Sequence, residues 1–338
     1  MVNKSMMYPW PLTRRLAKYL IGNRLRGNKR APLVLILEPT LQCNLFCDGC
    51  GRVREQEESQ NLILSADECL AAIDEVKAPV VCLSGGEPLL HPQIEEIVKR
   101  ILDRKQFLYL ATNGSELKDF LPKISPSVYL NFIVHVDGLA ETHNKIVGCD
   151  GIFDKVIESI KAAKTSGFRV YTNTTFFRGT DPEEMKQLFG LLTKLKVDGI
   201  MLIPAFGYDA VDKDIFLSRE EISDIFQSFS GLRHSFRFFS NPIYLQFAAG
   251  KKSLKCAPWA NPTLSPLGWR QPCYVLTDRY CESYSELMEQ THWDNYGHGS
   301  DPRCSNCFNH GAFETSAVME IVKSPLALWQ MLRWNIFS

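Results

Sequence analysis

The chain has 338 residues, 45% of them apolar, with 38 basic and 38 acidic side chains and a formal net charge of +0. That length suits one barrel-sized domain plus a smaller appendage. Neutrality argues against a nucleic-acid partner, which would need a basic field.

Residues 1–37 hold Lys4, Arg14, Arg15, Lys18, Arg24, Arg26, Lys29 and Arg30 and no acid, so the remainder is net acidic. This stretch lacks a signal peptide's apolar run and cleavage site. No run of ~18 uncharged apolar residues is present to span a membrane. Residues 11–22 predict a basic amphipathic helix, with Leu12, Leu16, Tyr19 and Leu20 at helical spacing. A βα alternation follows. Strands are predicted at Leu33–Leu37, Val80–Leu83, Phe107–Ala111, Val128–Val136, Arg169–Phe176 and Ile200–Ile203. Unbroken apolar runs such as the first suit parallel strands buried on both faces. Helices are predicted after the capping box of Ser65 and Glu68, over His91–Lys105, and near 152–166 and 182–195. Six strands alternating with helices predict an α/β fold, a partial (βα)6 TIM-like barrel with right-handed crossovers over residues 31–238. It follows the basic segment 1–30 and precedes a C-terminal cysteine-containing extension, 239–338, where regular secondary structure is expected to be sparse. In such barrels the chemistry sits at the C-terminal ends of the strands.

The 11 cysteines cluster as CxxxCxxC and CxxC. In a long chain that fits metal or cluster ligation in a reducing cytoplasm better than a disulfide scaffold. Cys43, Cys47 and Cys50 directly follow the first predicted strand. Three thiolates on one loop can each bind one iron of a [4Fe–4S] cubane and leave the fourth iron open to a small molecule. A structural zinc would need a fourth ligand. This spacing in this place resembles the signature of radical S-adenosylmethionine (SAM) enzymes. Gly49 stands where many of them have an aromatic residue beside SAM, so adenine contacts are expected from elsewhere. Ser84-Gly85-Gly86-Glu87-Pro88 ends the second strand. Amides freed by two glycines, beside a carboxylate, suit an ammonium-bearing ligand, and the segment resembles the one that holds the methionine amine in that superfamily. Thr112 and Asn113 end the third strand, and His135 and Asp137 end the next. Both resemble strand-end motifs lining the SAM pocket, and the segment from His143 to Gly148 resembles the loop that follows the second. Asn173 and Thr175 lie on the fifth strand, where polar groups often reach the SAM ribose. Rim hydrogen bonding is the plainer reading of each taken alone.

Cys256, Gly268 and Cys273 are spaced like the opening of the auxiliary-cluster domains of radical SAM enzymes, and Cys304 and Cys307 complete four thiols. The spacing leaves open a second [4Fe–4S] cluster, a zinc ion, or thiols that never converge. Cys69 falls in a helical pattern as a small buried apolar residue. Cys149 and Cys281 carry no assigned role.

The segments LVLILEPTLQCNLFCDGC, APVVCLSGGEPLLH, VHVDGLAETHNK and CAPWANPTLSPLGWRQPCY resemble the adenosyl-hopene transferase family of hopanoid biosynthesis, over nearly the whole chain. The resemblance implies reductive cleavage of SAM with an electron from a flavodoxin- or ferredoxin-like donor. The 5′-deoxyadenosyl radical then adds to the terminal alkene of diploptene, and SAM is consumed. It also implies a cysteine before Thr112 that could quench the resulting carbon radical. Here that residue is Ala111, and Cys82 on the neighbouring strand becomes the candidate hydrogen-atom donor. A hydrophobic isoprenoid lipid needs a route from the bilayer. Tyr8, Trp10 and the basic helix suit peripheral contact at the inner membrane face, as do Leu328, Trp329, Leu332, Trp334 and Phe337 of Leu326–Phe337. The competing readings are a peptide-modifying or maturase radical SAM enzyme with an auxiliary cluster, and a non-catalytic iron–sulfur or zinc scaffold.

Overall fold

The computed structural model describes all residues except 1–6, 56, 209, 212–213, 230, 233–234, 322–323 and 338. Lys4 and the Phe337 side chain lie outside the described residues.

Six parallel strands carry the first two-thirds of the chain: β1 (Val34–Leu37), β2 (Val80–Leu83), β3 (Phe107–Thr112), β4 (Leu130–His135), β5 (Arg169–Phe176) and β6 (Gly199–Pro204). Helices Ala66–Val76, Ile94–Asp103, Ile152–Thr165 and Pro182–Lys194 lie among them. Local chemistry sets their starts. The Ser65 hydroxyl and the Glu68 carboxylate form a reciprocal capping box, and Asp181 caps the helix that opens at Pro182. Cys69 is fully buried in the first of these helices. The helix expected from His91 begins at Ile94. His91 is instead a loop anchor, its Nε2 2.8 Å from the Leu64 carbonyl and its Nδ1 accepting the Gln93 amide. β4 begins at Leu130, two residues after the predicted start.

The extension departs from expectation. It adds β7 (Thr263–Ser265), β8 (Gly268–Pro272) and β9 (Thr277–Cys281), and helices Pro242–Ala248, Tyr284–Gln290, His310–Ile321 and Pro325–Phe337. The nine strands form one sheet in the order β6-β5-β4-β3-β2-β1-β7-β8-β9. β7 pairs parallel with β1, and β8 and β9 return antiparallel. Strands of three to five residues interrupted by Pro and Gly leave no periodic apolar signal, so the sequence pattern under-reports them. Pairing with β7 covers the β1 edge, which would otherwise present open hydrogen-bonding groups.

Two apolar clusters follow from the strand pleat. One contains Leu35, Leu83, Leu110, Val134 and Leu202 and packs against the helices. The other contains Val80, Phe107, Tyr109, Tyr171 and Met201 and faces the barrel interior, where Met7, Leu12 and Phe239 fill one end. The Met7 carbonyl accepts from the Tyr171 hydroxyl at 2.9 Å and from Arg169 at 3.0 Å. The segment before helix Trp10–Leu25 is thereby fixed to the barrel.

Candidate active site

The cysteine loop leaves β1 at Leu37 and passes against the end of β2. Gly86 approaches it so closely that a Cβ there would overlap the Gln42 carbonyl, which is why the position takes glycine. The contact lets the Gly86 amide donate to the Thr40 carbonyl at 3.0 Å and the Glu87 amide to the Gln42 carbonyl at 2.7 Å. The Gly86 and Glu87 amides thus hold the cysteine loop. The Glu87 carboxylate is also engaged. It is buried and accepts from the Leu89 amide at 3.0 Å, the Thr112 hydroxyl at 2.8 Å and the Asn113 amide at 2.6 Å. Burial pushes its pKa up to about 7 against the pull of those donors. Glu87 thereby joins β2 to β3.

Cys43, Cys47 and Cys50 lie close enough on this loop that their charges act on one another. Burial pushes the Cys43 thiol up to about 11 and Cys47 well above its ordinary value. A cationic centre is what would ionise such thiols. The Asn113 side chain hydrogen-bonds Cys43 and donates to Asn44 Oδ1 at 2.8 Å. Arg54, on the short helix Gly51–Glu55, donates from Nη1 to the Cys47 and Cys50 carbonyls, both at 2.8 Å. Its guanidinium stacks 4.4 Å from the Phe46 ring centre. Motif reading missed Arg54, whose only signal is a cation four residues past the last cysteine. The space at Gly49 is filled by the Phe177 ring from the end of β5, which a Cβ at Gly49 would strike. An aromatic group therefore stands beside the loop although residue 49 lacks one.

At the ends of β4 and β5, His135 Nε2 lies 2.6 Å from Asp137 Oδ2. The buried Asp137 accepts the Thr175 amide at 2.7 Å, and its own amide donates to His143 Nδ1 at 3.2 Å. Burial opposes protonation of His135, but the Asp137 charge outweighs it and the pKa rises. Burial takes His143 down to about 4. The result is a His135–Asp137 pair backed by a neutral His143 imidazole. His143 belongs to helix Ala140–Val147, not to a loop. Asn173 pairs with His135 across β4 and β5, and its buried Oδ1 has no hydrogen-bond partner among the described residues. An orphaned acceptor on the barrel's inner face suits a ligand hydroxyl. Cys82 pairs in register with Tyr109, and Ala111 lies on the same face one pleat nearer the strand ends. Burial, followed by the charge of Glu38, pushes the Cys82 thiol up to about 12. It keeps its S–H at neutral pH.

The extension brings Cys256, Cys273, Cys304 and Cys307 together around one apolar cavity. Burial raises all four thiols, and Cys256 feels the charges of the other three. Between the two cysteine groups stand Arg52 and Tyr274. The Arg52 guanidinium lies 4.8 Å from the Tyr274 ring centre, and its charge acts on Cys273. The Tyr274 hydroxyl lies 3.4 Å from Ser84 Oγ and feels Cys50. Among the described residues, no three or more His, Cys, Asp or Glu side chains gather as ligands of a single ion. A cubane takes one thiolate per iron and asks for wider spacing. Three thiols on one loop fit that demand.

Residues 37–192 match the family model of the radical SAM superfamily, and residues 200–331 match a domain of unknown function, DUF3463. The chain is 33% identical over 170 residues to the AdoMet-dependent heme synthase of Methanosarcina barkeri, covering 49% of this chain and 48% of that protein. It is 26% identical over 221 residues to the Fe-coproporphyrin III synthase of the same organism, covering 62% and 55%. It thus spans about half the length of the curated relatives it matches. In fold it is similar to Streptococcus suis SuiB bound to S-adenosylmethionine, with TM-score 0.61, 14% identity and coverage of 75% of this chain and 62% of that one. Native anSMEcpe with bound AdoMet gives TM-score 0.58, 16% identity, and coverage of 89% and 100%. The loop of three cysteines at the end of the first strand lies within the residues that match the radical SAM superfamily, whose cofactors are a [4Fe–4S] cluster and SAM.

Proposed function

We propose that this radical SAM enzyme adds the 5′-deoxyadenosyl group of SAM to the alkene of a hopanoid such as diploptene, or of a related isoprenoid lipid. The sequence resemblance suggests the lipid, and one surface carries it. The Tyr8 amide donates to Asn335 Oδ1 at 2.7 Å, and the Tyr8 ring lies 5.7 Å from that of Trp334. These contacts tie the start of helix Trp10–Leu25 to helix Pro325–Phe337. The two helices expose Trp10, Ile21, Leu25, Leu326, Leu328, Trp329 and Leu332. Large apolar groups gathered in water mark an interaction surface. The first helix adds Arg14, Arg15, Lys18 and Arg24. Apolar groups among cations suit the interface of an anionic bilayer. Among the described residues no helix is long and apolar enough to cross a membrane, and the contact we propose is peripheral, at the inner membrane face.

Cys43, Cys47 and Cys50 would hold the cluster, which supplies the electron and the open iron for SAM. Gly85, Thr112, His135, Asp137, Asn173 and Thr175 would line the SAM pocket, with Gly86, Glu87 and Asn113 holding the loops that form it. Val80, Phe107, Tyr109, Tyr171 and Met201 keep water out of the barrel interior, where a primary radical must be protected. Cys82 retains the hydrogen atom that Ala111 lacks. The four thiols of the extension would hold a second cluster, which asks for wider spacing than a single ion does. That site equally suits the peptide-modifying reading.

The test is anaerobic reconstitution with SAM, a chemical reductant and diploptene, followed by mass spectrometry. An adenosine–lipid adduct is expected. Free 5′-deoxyadenosine without an adduct would keep the radical chemistry and refute the lipid.

A further inference from the structure

Among the described residues, a cavity of about 490 Å³ is walled mostly by the extension. Arg219, Lys252, Lys255 and His298 line it, and no carboxylate does. Its cations are placed in different ways. The Arg219 guanidinium lies 4.4 Å from the Phe308 ring centre and 5.5 Å from that of Phe247, and it donates to the Ser305 carbonyl at 3.2 Å. It is fixed before anything binds. Lys255 meets Asp294 at 3.3 Å, but both are exposed, and such a pair is easily exchanged. Lys252 is half-buried on the wall.

This cavity shares Cys256, Tyr296, Gly297 and His298 with the chamber that all four extension cysteines line. It is therefore the vestibule of that chamber, and it is basic although the chain beyond residue 37 is net acidic. From the chamber, Arg52 and Tyr274 lead back to Cys50.

We infer that this vestibule is the docking surface for the enzyme's one-electron donor, a protein with an acidic face around its redox group. The inference rests on the radical SAM reading and is independent of which substrate accepts the radical. Opposite charge steers such an encounter and fixes its register. The balance is one electron out of the reduced donor, which is oxidised by one equivalent. That electron enters the S–C5′ bond of SAM, which breaks to give methionine and the 5′-deoxyadenosyl radical.

The experiment uses the reconstituted full chain and a reduced bacterial flavodoxin. Its affinity is measured by calorimetry at low ionic strength, and 5′-deoxyadenosine formation is followed with flavodoxin or with dithionite. For Lys252→Glu/Lys255→Glu we expect flavodoxin affinity to fall roughly tenfold or more. The flavodoxin-driven rate should fall with it, while the dithionite-driven rate and the iron content stay as in the wild type. Added salt should reproduce the loss in the wild type. Unchanged flavodoxin affinity in the variant would overturn the docking surface. So would tight binding of inorganic phosphate in the cavity with no effect on flavodoxin. If the double variant loses iron, Lys252→Glu alone, further from the cysteine, decides by the same affinity. If the wild type fails to cleave SAM with dithionite, the radical SAM reading fails instead, and the flavodoxin affinity still reports on docking.

Discussion

The Arg270 guanidinium, on β8, meets the Glu38 carboxylate at the end of β1 with Nη2 2.6 Å and Nε 2.7 Å from Oε2, and both side chains are wholly excluded from solvent. Arg270 Nη1 adds bonds to the Thr277 and Tyr280 hydroxyls, each at 3.0 Å. The strand that launches the cysteine loop is thus locked to the extension through a buried charge pair.

Removing one partner of a buried pair strands the other charge, at a cost of about 3–5 kcal/mol. Arg270→Ala should lower stability by that order in chemical denaturation and reduce the iron retained after reconstitution. An Arg270→Lys variant, which keeps a cation beside Glu38 while Arg52 Nε stays 3.7 Å from Glu38 Oε1, should lose less. Equal instability of the two variants would show that packing, not charge, holds the junction.

Gly86→Ala would place a methyl group against the Gln42 carbonyl. The cysteine loop has to move, since the obstacle is backbone. We expect a stability loss of about 1–3 kcal/mol and a larger proportional loss of iron, read by absorbance and elemental analysis. Normal iron content would mean that the loop position does not set cluster binding.

The barrel was legible because most of its parallel strands hold an apolar run between turn signals, as at Val80–Leu83 and Ile200–Ile203. The cysteine loop was legible because its spacing is local. Two kinds of feature were not. Strands β7–β9 gain their stability from pairing with β1 and have no periodic pattern of their own. The roles of Gly86, Glu87, Arg54 and Phe177 depend on which loops meet at the strand ends, and that is decided by topology. The donors that meet the Glu87 carboxylate were hidden in the same way, because Thr112 and Asn113 come from the end of another strand.

Replacing any one of Cys43, Cys47 or Cys50 with Ala should abolish the cluster's absorbance and all 5′-deoxyadenosine formation. Cys307→Ala should instead lower total metal per chain while the three-cysteine site still fills. Iron and zinc counts on the two kinds of variant would identify the second metal. An unchanged metal count in Cys307→Ala would show that the four converging thiols hold none.

Glu314 gives a pH test that is separate from either cysteine group. Its Oε1 accepts from the Tyr8 hydroxyl at 2.8 Å and the Asn241 amide at 3.0 Å. Burial outweighs those donors and raises its pKa to about 7. Below the unfolded carboxyl's pKa of about 4.3 both states carry the proton and the native state is unpenalised. As pH rises from there to 7 the unfolded chain ionises first, so stability falls, by an amount of order 1–3 kcal/mol. His310, 3.0 Å from Ser240 Oγ, works at the other end. Burial lowers it to about 3, so its contribution is intact above about 6.5 and is lost as pH falls. Glu314→Gln keeps an acceptor for Tyr8 and Asn241 and removes the ionisation. It should raise the melting temperature at pH 8 while matching the wild type near pH 4.5. A constant difference between the two proteins across that range would mean that Glu314 does not titrate in the folded state where its burial places it.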